Sequence, residues 1–314
     1  MEVLEVLDSG LLTTIQDTGR AGFRQYGVPV CGALDPISSR LANYLVGNAS
    51  SDALLEITLM GPRLRFLTAA AFALSGADLS PSLNRVPLKM NETQFAVKGD
   101  VLRFGRRRHG VRCYLSISGG FSGNDLLGSR ATHLRSQWGG LNGAALAKGQ
   151  ILSSKQSTRG PQSVLRRLPP FPVFGQEVRI VPGPEFTLVE SHDLTVAPWE
   201  VSTQSDRAGI RLTGRQMTSP QKEMISSPVD VGTIQLPRGG EPLILLNDGP
   251  NIGGYPRIAS VLQCDLAKVA QLGPGDTLGL SWISMQESRE IHADYLHALN
   301  RLDASQGYRG KTPQ

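Results

Sequence analysis

A pattern that occurs twice constrains this chain more than any other feature. DTGRAGFRQYG at 17–27 and SDRAGIRLTG at 205–214 share Arg-Ala-Gly-apolar-Arg-x-x-Gly. Arg20 matches Arg207, Gly22 matches Gly209, Arg24 matches Arg211 and Gly27 matches Gly214. Further matches follow in the same order: LEITL at 55–59 with GTIQL at 232–236, AFALSGAD at 71–78 with LILLNDGP at 243–250, and KGDVLRF at 98–104 with PGDTLGL at 274–280. At this separation the repeat is a pair of whole domains, not a solenoid. A chain of 314 residues is long for one core and sufficient for two. The duplication predicts that 11–105 superposes on 200–282, with Arg20 and Arg207 in equivalent places.

The 35 glycines and 20 prolines mostly separate short apolar runs, which favours many short strands over helices. Alternation shows in VLRF at 101–104, CYLSIS at 113–118 and VRIV at 178–181. Helical patterns are few. PISSRLANYLVGN at 36–48 puts Ile37, Leu41, Tyr44 and Leu45 on one face, with Asp35 as N-cap, Pro36 in the first turn and Gly47-Asn48 at the end. SREIHADYLHALNRL at 288–302 carries an apolar stripe of Ile291, Tyr295, Leu299 and Leu302. The class is therefore mainly β with a few short helices. The expected divisions are a first domain over 1–155, a linker over 156–174, a second domain over 175–287 and a C-terminal helix over 288–303. The linker expectation rests on the Ser-, Gln-, Arg- and Pro-rich run 153–172. The polar tail from Ala304 is expected to fray.

LILLNDGPNIGGYPRIASVL at 243–262 reads as a ligand loop. A strand-like run stops at Asn247-Asp248, two adjacent glycines allow close approach to the main chain, and a second run starts at Ile258. Asp248 and Tyr255 flank the glycines with a charge and a hydroxyl. Asn251, Gly253 and Gly254 complete the loop. Arg20 and Arg207 each precede a glycine corner and have an acid nearby, Asp17 and Asp206. Arginine forks bind carboxylates bidentately. The pairs are thus either anion clamps, with Ser205 and Arg211 beside the second, or Arg–Asp braces of tight turns. GGYP occurs once, which points to the second half as the chemically special one.

Several function classes fall away. The net charge is +5, but apart from Arg106-Arg107-Arg108-His109 the basic residues are dispersed, and that run is most simply a solvated hairpin turn. No aromatic–basic interleaving supports nucleic-acid binding. MEVLEVLDSG has three acids and no basic residue, unlike a secretory leader, and no apolar run reaches membrane length. Three scattered cysteines fit reduced thiols, so a cytoplasmic location is expected. The five histidines show no ligand spacing, and no metal is expected. Neither a Walker loop nor a G-x-S-x-G elbow occurs.

The runs TIQDTGRAGFRQYGVPVCGALDPISSRLANYLVGN, ALLEITLMGP, SGADL, YLSISGGF, LGSRATHL, VPGPE, VSTQSDRAGIRLTG, GTIQLPRGGEPLILLNDGPNIGGYPRIASVL and AQLGPGD resemble the 5-oxoprolinase C-subunit family. That family is also called the biotin-dependent carboxyltransferase or allophanate hydrolase subunit 2 family. The resemblance covers 3–283. It implies a pair of cyclophilin-like β-barrels. It also implies partnership with a B subunit and an A subunit in an ATP-dependent 5-oxoprolinase that opens 5-oxo-L-proline to L-glutamate. ATP belongs to the complex. The alternatives it carries are biotin-dependent carboxyl transfer to urea or another small amide, and non-catalytic regulation of a kinase-inhibitor-like partner. Many relatives read Asp-x-Gln-Thr-Thr-Gly-Gly-Tyr-Pro where this chain has Asp248-Gly249-Pro250-Asn251-Ile252-Gly253-Gly254-Tyr255-Pro256.

Under the oxoprolinase reading, the residue types suggest roles. Main-chain N–H groups at Gly253-Gly254 would stabilise an oxyanion, Arg207 would hold the substrate carboxylate, and Asp248 would position or deprotonate a nucleophile or the ring N–H. Tyr255 completes the catalytic set. Ser205, Asp206, Arg211, Asn251, Arg20 and Asp17 complete the binding set. On this reading Asp248→Ala and Arg207→Ala abolish activity and leave the melting temperature nearly unchanged.

Overall fold

The computed structural model describes residues 1–155, 177–189, 194–220 and 224–307, the last four as backbone alone. The linker expected over 156–174 and the tail beyond 307 lie outside the described residues. The protein is mainly β and divides into two compact units. The first takes the described parts of Met1–Arg20, Cys31–Pro172 and Ala298–Gln314; the second takes Ala21–Val30 and the described parts of Val173–His297. The segment 21–30 thus counts with the second unit, although the sequence places it inside the first domain.

In the first unit a six-stranded sheet has the order Ile151–Ser153, Glu2–Asp8, Arg63–Phe66, Val101–Arg103, Ser82–Leu83, Val86–Pro87. A five-stranded sheet has the order Leu12–Gln16, Leu54–Thr58, His109–Ile117, Ala70–Asp78, Thr93–Ala96. Arg63–Phe66 alternates, Leu64 and Phe66 buried and the arginines out, as a strand with one wet face must. The five-stranded sheet is covered on both faces and so reads as continuous apolar runs. Leu55, Ile57, Phe72, Leu74, Cys113 and Leu115 join the main core with Leu4, Leu64 and Phe66. Their strand neighbours Leu54, Ala73 and Tyr114 pack instead against α1, Pro36–Leu45, through Ala42, Leu41 and Leu45.

The signals that predict α1 are met atom by atom. Asp35 Oδ1 accepts from the N–H groups of Ile37 (3.1 Å) and Ser38 (2.9 Å). At the other end Gly47 N–H donates to Tyr44 O and Asn48 N–H to Asn43 O, with Gly47 at φ 72°. Beneath α1 lies a buried polar network. Tyr114 donates its hydroxyl to Glu56 Oε2 (2.9 Å), and Leu34 N–H donates to the same oxygen (2.9 Å). Burial, then the Glu56 and Asp35 carboxylates, push the Tyr114 hydroxyl pKa well up. Arg106–His109 is not a hairpin turn. The strands on either side, Val101–Arg103 and His109–Ile117, belong to different sheets, and Arg107 Nε donates to Gly110 O (2.7 Å) across the crossing.

The second unit closes a seven-stranded barrel in the order Glu177–Pro182, Arg257–Val261, Thr233–Gln235, Leu243–Leu245, Gly209–Thr213, Trp199–Val201, Thr277–Trp282. Closure removes free strand edges. Outside the barrel, Ser227–Pro228 pairs with Ile252–Gly253 in a small antiparallel ladder. α2, Leu266–Ala270, is short, and α3 runs Met285–Gly307. In α3 Tyr295 is buried, and Ile291, Leu299 and Leu302 are half-buried on the expected stripe. The helix continues through 304–307, where fraying is expected from sequence.

The duplicated sequence does not give duplicated pairing. In the second unit Thr233–Gln235 lies directly beside Leu243–Leu245. In the first, the matching strands Leu54–Thr58 and Ala70–Asp78 are separated by His109–Ile117, which pairs with both.

No helix among the described residues is long and apolar enough to cross a membrane. Cys31 and Cys113 are buried free thiols and Cys264 is a half-buried one.

Candidate functional site

The apolar run at 243 enters the barrel as the strand Leu243–Leu245, and the chain then bends against the 205–211 turn. Leu246 N–H donates to Ala208 O (2.9 Å), Asp248 N–H to Arg207 O (3.1 Å) and Gly249 N–H to Leu246 O (2.9 Å). Arg207 closes the contact from its side, Nε to Asp248 Oδ2 at 2.9 Å and Nη2 to Oδ1 at 3.1 Å. The two side chains are 5% and 8% exposed. This is a bidentate, buried pair between two loops distant in sequence. It is the brace that the sequence left open as the alternative to an anion clamp, made with a different acid. The Arg207 fork is engaged by Asp248 and turned away from open space, and both oxygens of Asp248 accept from that fork. The partner of Arg207 is Asp248, not its neighbour Asp206, whose Oδ1 instead accepts from the N–H groups of Ala208 (2.7 Å) and Gly209 (3.2 Å). Ser205 Oγ accepts from Arg211 N–H (3.1 Å) and shapes the same turn.

The first copy is built differently. Arg20 is 1% exposed and donates to main-chain carbonyls, Nε to Leu126 (3.0 Å) and Nη2 to Ala131 (2.5 Å). Asp17 accepts from Gly19 N–H (2.8 Å), Ser129 Oγ (2.6 Å) and Arg130 N–H (2.6 Å). Both side chains tie the 126–131 segment to the turn, so neither serves as a substrate clamp. Arg20 and Arg207 share a sequence position and burial, and differ in partner.

Beside the Arg207–Asp248 pair opens a cavity of about 590 Å³, within the size range of small-molecule sites. Arg211, Asp206, Gln204, Gln235 and Tyr255 supply its polar groups; Leu243, Leu245, Pro250 and Ile252 supply an apolar wall, with Gly253 and Gly254 between. Arg211 sits in the strand Gly209–Thr213, with Nη1 3.7 Å from Glu241 Oε2. Such a half-exposed contact leaves donors of its fork over. Gln235, 2% exposed, donates Nε2 to Tyr255 O at 3.3 Å. A Cβ on Gly253 would stand 2.4 Å from that nitrogen, so any side chain there would have to displace the Gln235 amide, while φ makes no demand for glycine. Gly253 is engaged in the ladder with Ser227. Gly254 and Tyr255 (46% exposed) form a partition, because a second cavity of about 400 Å³, with Ser219 and Arg238 in its wall, shares both residues. Asn251 faces elsewhere and donates Nδ2 to Arg24 O at 3.3 Å.

The geometry thus gathers Arg211, Asp206, Gly253, Gly254 and Tyr255 at one cavity, with Ser205 shaping the adjoining turn. It places Arg207 and Asp248 beside the cavity as its brace, and leaves Arg20, Asp17 and Asn251 out of the lining. Sequence reasoning missed Gln204 and Gln235. A lone glutamine ending a short strand carries no motif, and the GGY loop that it supports is the signal that could have pointed to it.

The family model described as carboxyltransferase domain, subdomain A and B, matches residues 26–282 and so spans the whole cavity lining. The chain belongs to that carboxyltransferase family. Within it, the 5-oxoprolinase C subunit of Escherichia coli strain K12 is 35% identical over 315 residues, covering 96% of this chain and 97% of that protein. A urea amidolyase of Lachancea kluyveri is 33% identical over 95% of this chain, but the match spans 18% of that protein. Among solved structures, the K. lactis urea amidolyase matches with a TM-score of 0.87 and 32% identity, over 96% of this chain and 20% of that one.

Proposed function

We propose that the chain is the C subunit of an ATP-dependent 5-oxoprolinase, which with the A and B subunits opens 5-oxo-L-proline to L-glutamate. One observation carries this reading: the match to a 5-oxoprolinase C subunit runs end to end in both proteins, whereas the amidolyase match is a fraction of a far longer chain.

A lactam is a resonance-stabilised amide. Its carbonyl oxygen would first be activated by phosphoryl transfer from ATP or an equivalent; water then adds to the carbonyl carbon, charge develops on the oxygen, the ring C–N bond breaks, the nitrogen takes a proton and the activating phosphate leaves. Arg211 would receive the substrate carboxylate in its fork, the Gln235 amide and Tyr255 hydroxyl would meet the ring amide, and Gly254 N–H would face the developing oxyanion, a contribution worth about 3 kcal/mol. The apolar wall suits the ring methylenes. Arg207 and Asp248 hold the two loops that carry these groups. The one guanidinium lining this cavity is offset by the Asp206 and Glu241 carboxylates, which suits a small lactam acid better than a triphosphate. A ureido ring presents the same N–H and C=O groups as a lactam. Carboxyl transfer from biotin to a small amide is therefore the second reading, favoured by the family model and the amidolyase relatives.

The test is co-purification with the B subunit, followed by glutamate release with and without the A subunit and ATP. Release that needs all components supports the reading. Release by the single chain at the rate of the complex contradicts obligate partnership, and biotin-dependent carboxylation of urea without glutamate release establishes the second reading instead.

A further inference from the structure

Arg24 and Arg211 occupy the same position of the duplicated pattern, and both reach the loop at 250–255. Arg211 lines the cavity. Arg24 does not; it opens the turn Arg24–Tyr26 and grips the loop from outside. Its Nη2 donates to Val229 O, its Nη1 lies 3.3 Å from Asp230 Oδ1, and its own carbonyl accepts Asn251 Nδ2 at 3.3 Å. Val229 N–H in turn donates to Asn251 O at 3.1 Å. One residue therefore holds both strands of the ladder in which Ser227–Pro228 pairs with Ile252–Gly253, at the end where Val229 faces Asn251. That ladder runs straight into Gly254 and Tyr255, the partition between the two cavities.

We propose that Arg24 is a positioning residue for the ligand cavity. Its grip on Val229 and Asn251 fixes the ladder and so sets where Gly254 and Tyr255 stand relative to Gln235 and Arg211. The first copy of the repeat then supplies the pin and the second copy the guanidinium inside the site. The Asp230 contact carries little of this, since that carboxylate is 81% exposed and water competes for it. The side-chain donation to Val229 O carries it, from a guanidinium arm only 27% exposed, while the Asn251 contact is made by the Arg24 main chain and stays in any variant. The ladder keeps a second anchor without Arg24: Arg257 Nη1 donates to Pro228 O (2.9 Å) while its other donors hold Glu185. Loss of Arg24 thus loosens the rim without unfolding the unit.

The inference rests on the proposed function for one arm of its test and not for the other. In the first arm, amide hydrogen exchange at 251–255 is measured in the full chain alongside the melting temperature. Arg24→Ala is expected to speed exchange there about tenfold with melting nearly unchanged, Arg24→Lys to fall between, and Asp230→Asn to match wild type. In the second arm, Arg24→Ala in the reconstituted complex raises KM for 5-oxoproline about fivefold and leaves kcat within about twofold. Unchanged exchange at 251–255 overturns the proposal, and so does global unfolding of Arg24→Ala, which would make Arg24 a general brace. A wild-type complex that releases no glutamate removes the proposed function, while the exchange arm still decides the role of Arg24.

Discussion

Arg207 and Arg211 lie close in sequence yet do opposite work, because Arg207 sits in the turn before a barrel strand and Arg211 sits within it. Arg207 meets Asp248 in a closed, buried pair; Arg211 opens on the cavity. Removing one partner of a buried pair strands the other charge, which costs about 3–5 kcal/mol. Asp248→Ala is accordingly expected to lose about 3 kcal/mol in denaturant melts, against the sequence-based expectation of unchanged melting. Stability equal to wild type would show the pair to be dispensable. The sequence pointed to an arginine, a glycine pair and a tyrosine in two loops, and the structure brings those two loops to one cavity. Which arginine lines the cavity was not legible, because that depends on where a strand begins, and strand ends are the least certain feature of a pattern.

At the scale of elements, local chemistry was the most readable part. Asp35, Pro36 and Gly47 mark α1 because each satisfies or removes a backbone group at a helix end, a purely local requirement. The ladder beside the cavity was invisible, since it is two residues long and joins segments with no alternation of their own. It depends on long-range ties such as Glu185–Arg257, where Arg257 Nε, Nη2 and N–H all reach the Glu185 carboxylate, at 2.8, 2.6 and 3.0 Å. The Arg257 hydrogen bonds hold the Glu185 carboxyl below the usual carboxylate range. A depressed folded pKa gives stability that is present above the unfolded value, about 4.3, and lost as pH falls through the folded value. Glu185→Gln should therefore be about 2 kcal/mol less stable than wild type near neutral pH, and the gap should close as pH drops below about 4.3. A gap of constant size across that window, in melts at several pH values, would assign the loss to shape and not to charge.

At the scale of the whole molecule, the duplication announced two β units, and two are found. What it could not announce is divergence after duplication. His109–Ile117 lies between the matching strands of the first unit, Arg20 donates to carbonyls where Arg207 pairs with a carboxylate, and Arg24 donates to Val229 O where Arg211 lines the cavity. Such changes keep the motif and alter its use, so a motif match alone overstates equivalence. The central claim is that the second unit binds a lactam through a carboxylate on Arg211. Its most direct test is the ratio of kcat/KM for 5-oxoproline to that for the same lactam lacking the carboxylate, in reconstituted complexes with wild-type chain and with Arg211→Met. A charged hydrogen bond of about 1.5–3 kcal/mol predicts that the wild-type preference falls by a factor on the order of 10–100 in the variant, through 5-oxoproline alone. A preference that survives the substitution unchanged would place the substrate carboxylate elsewhere and contradict the claim.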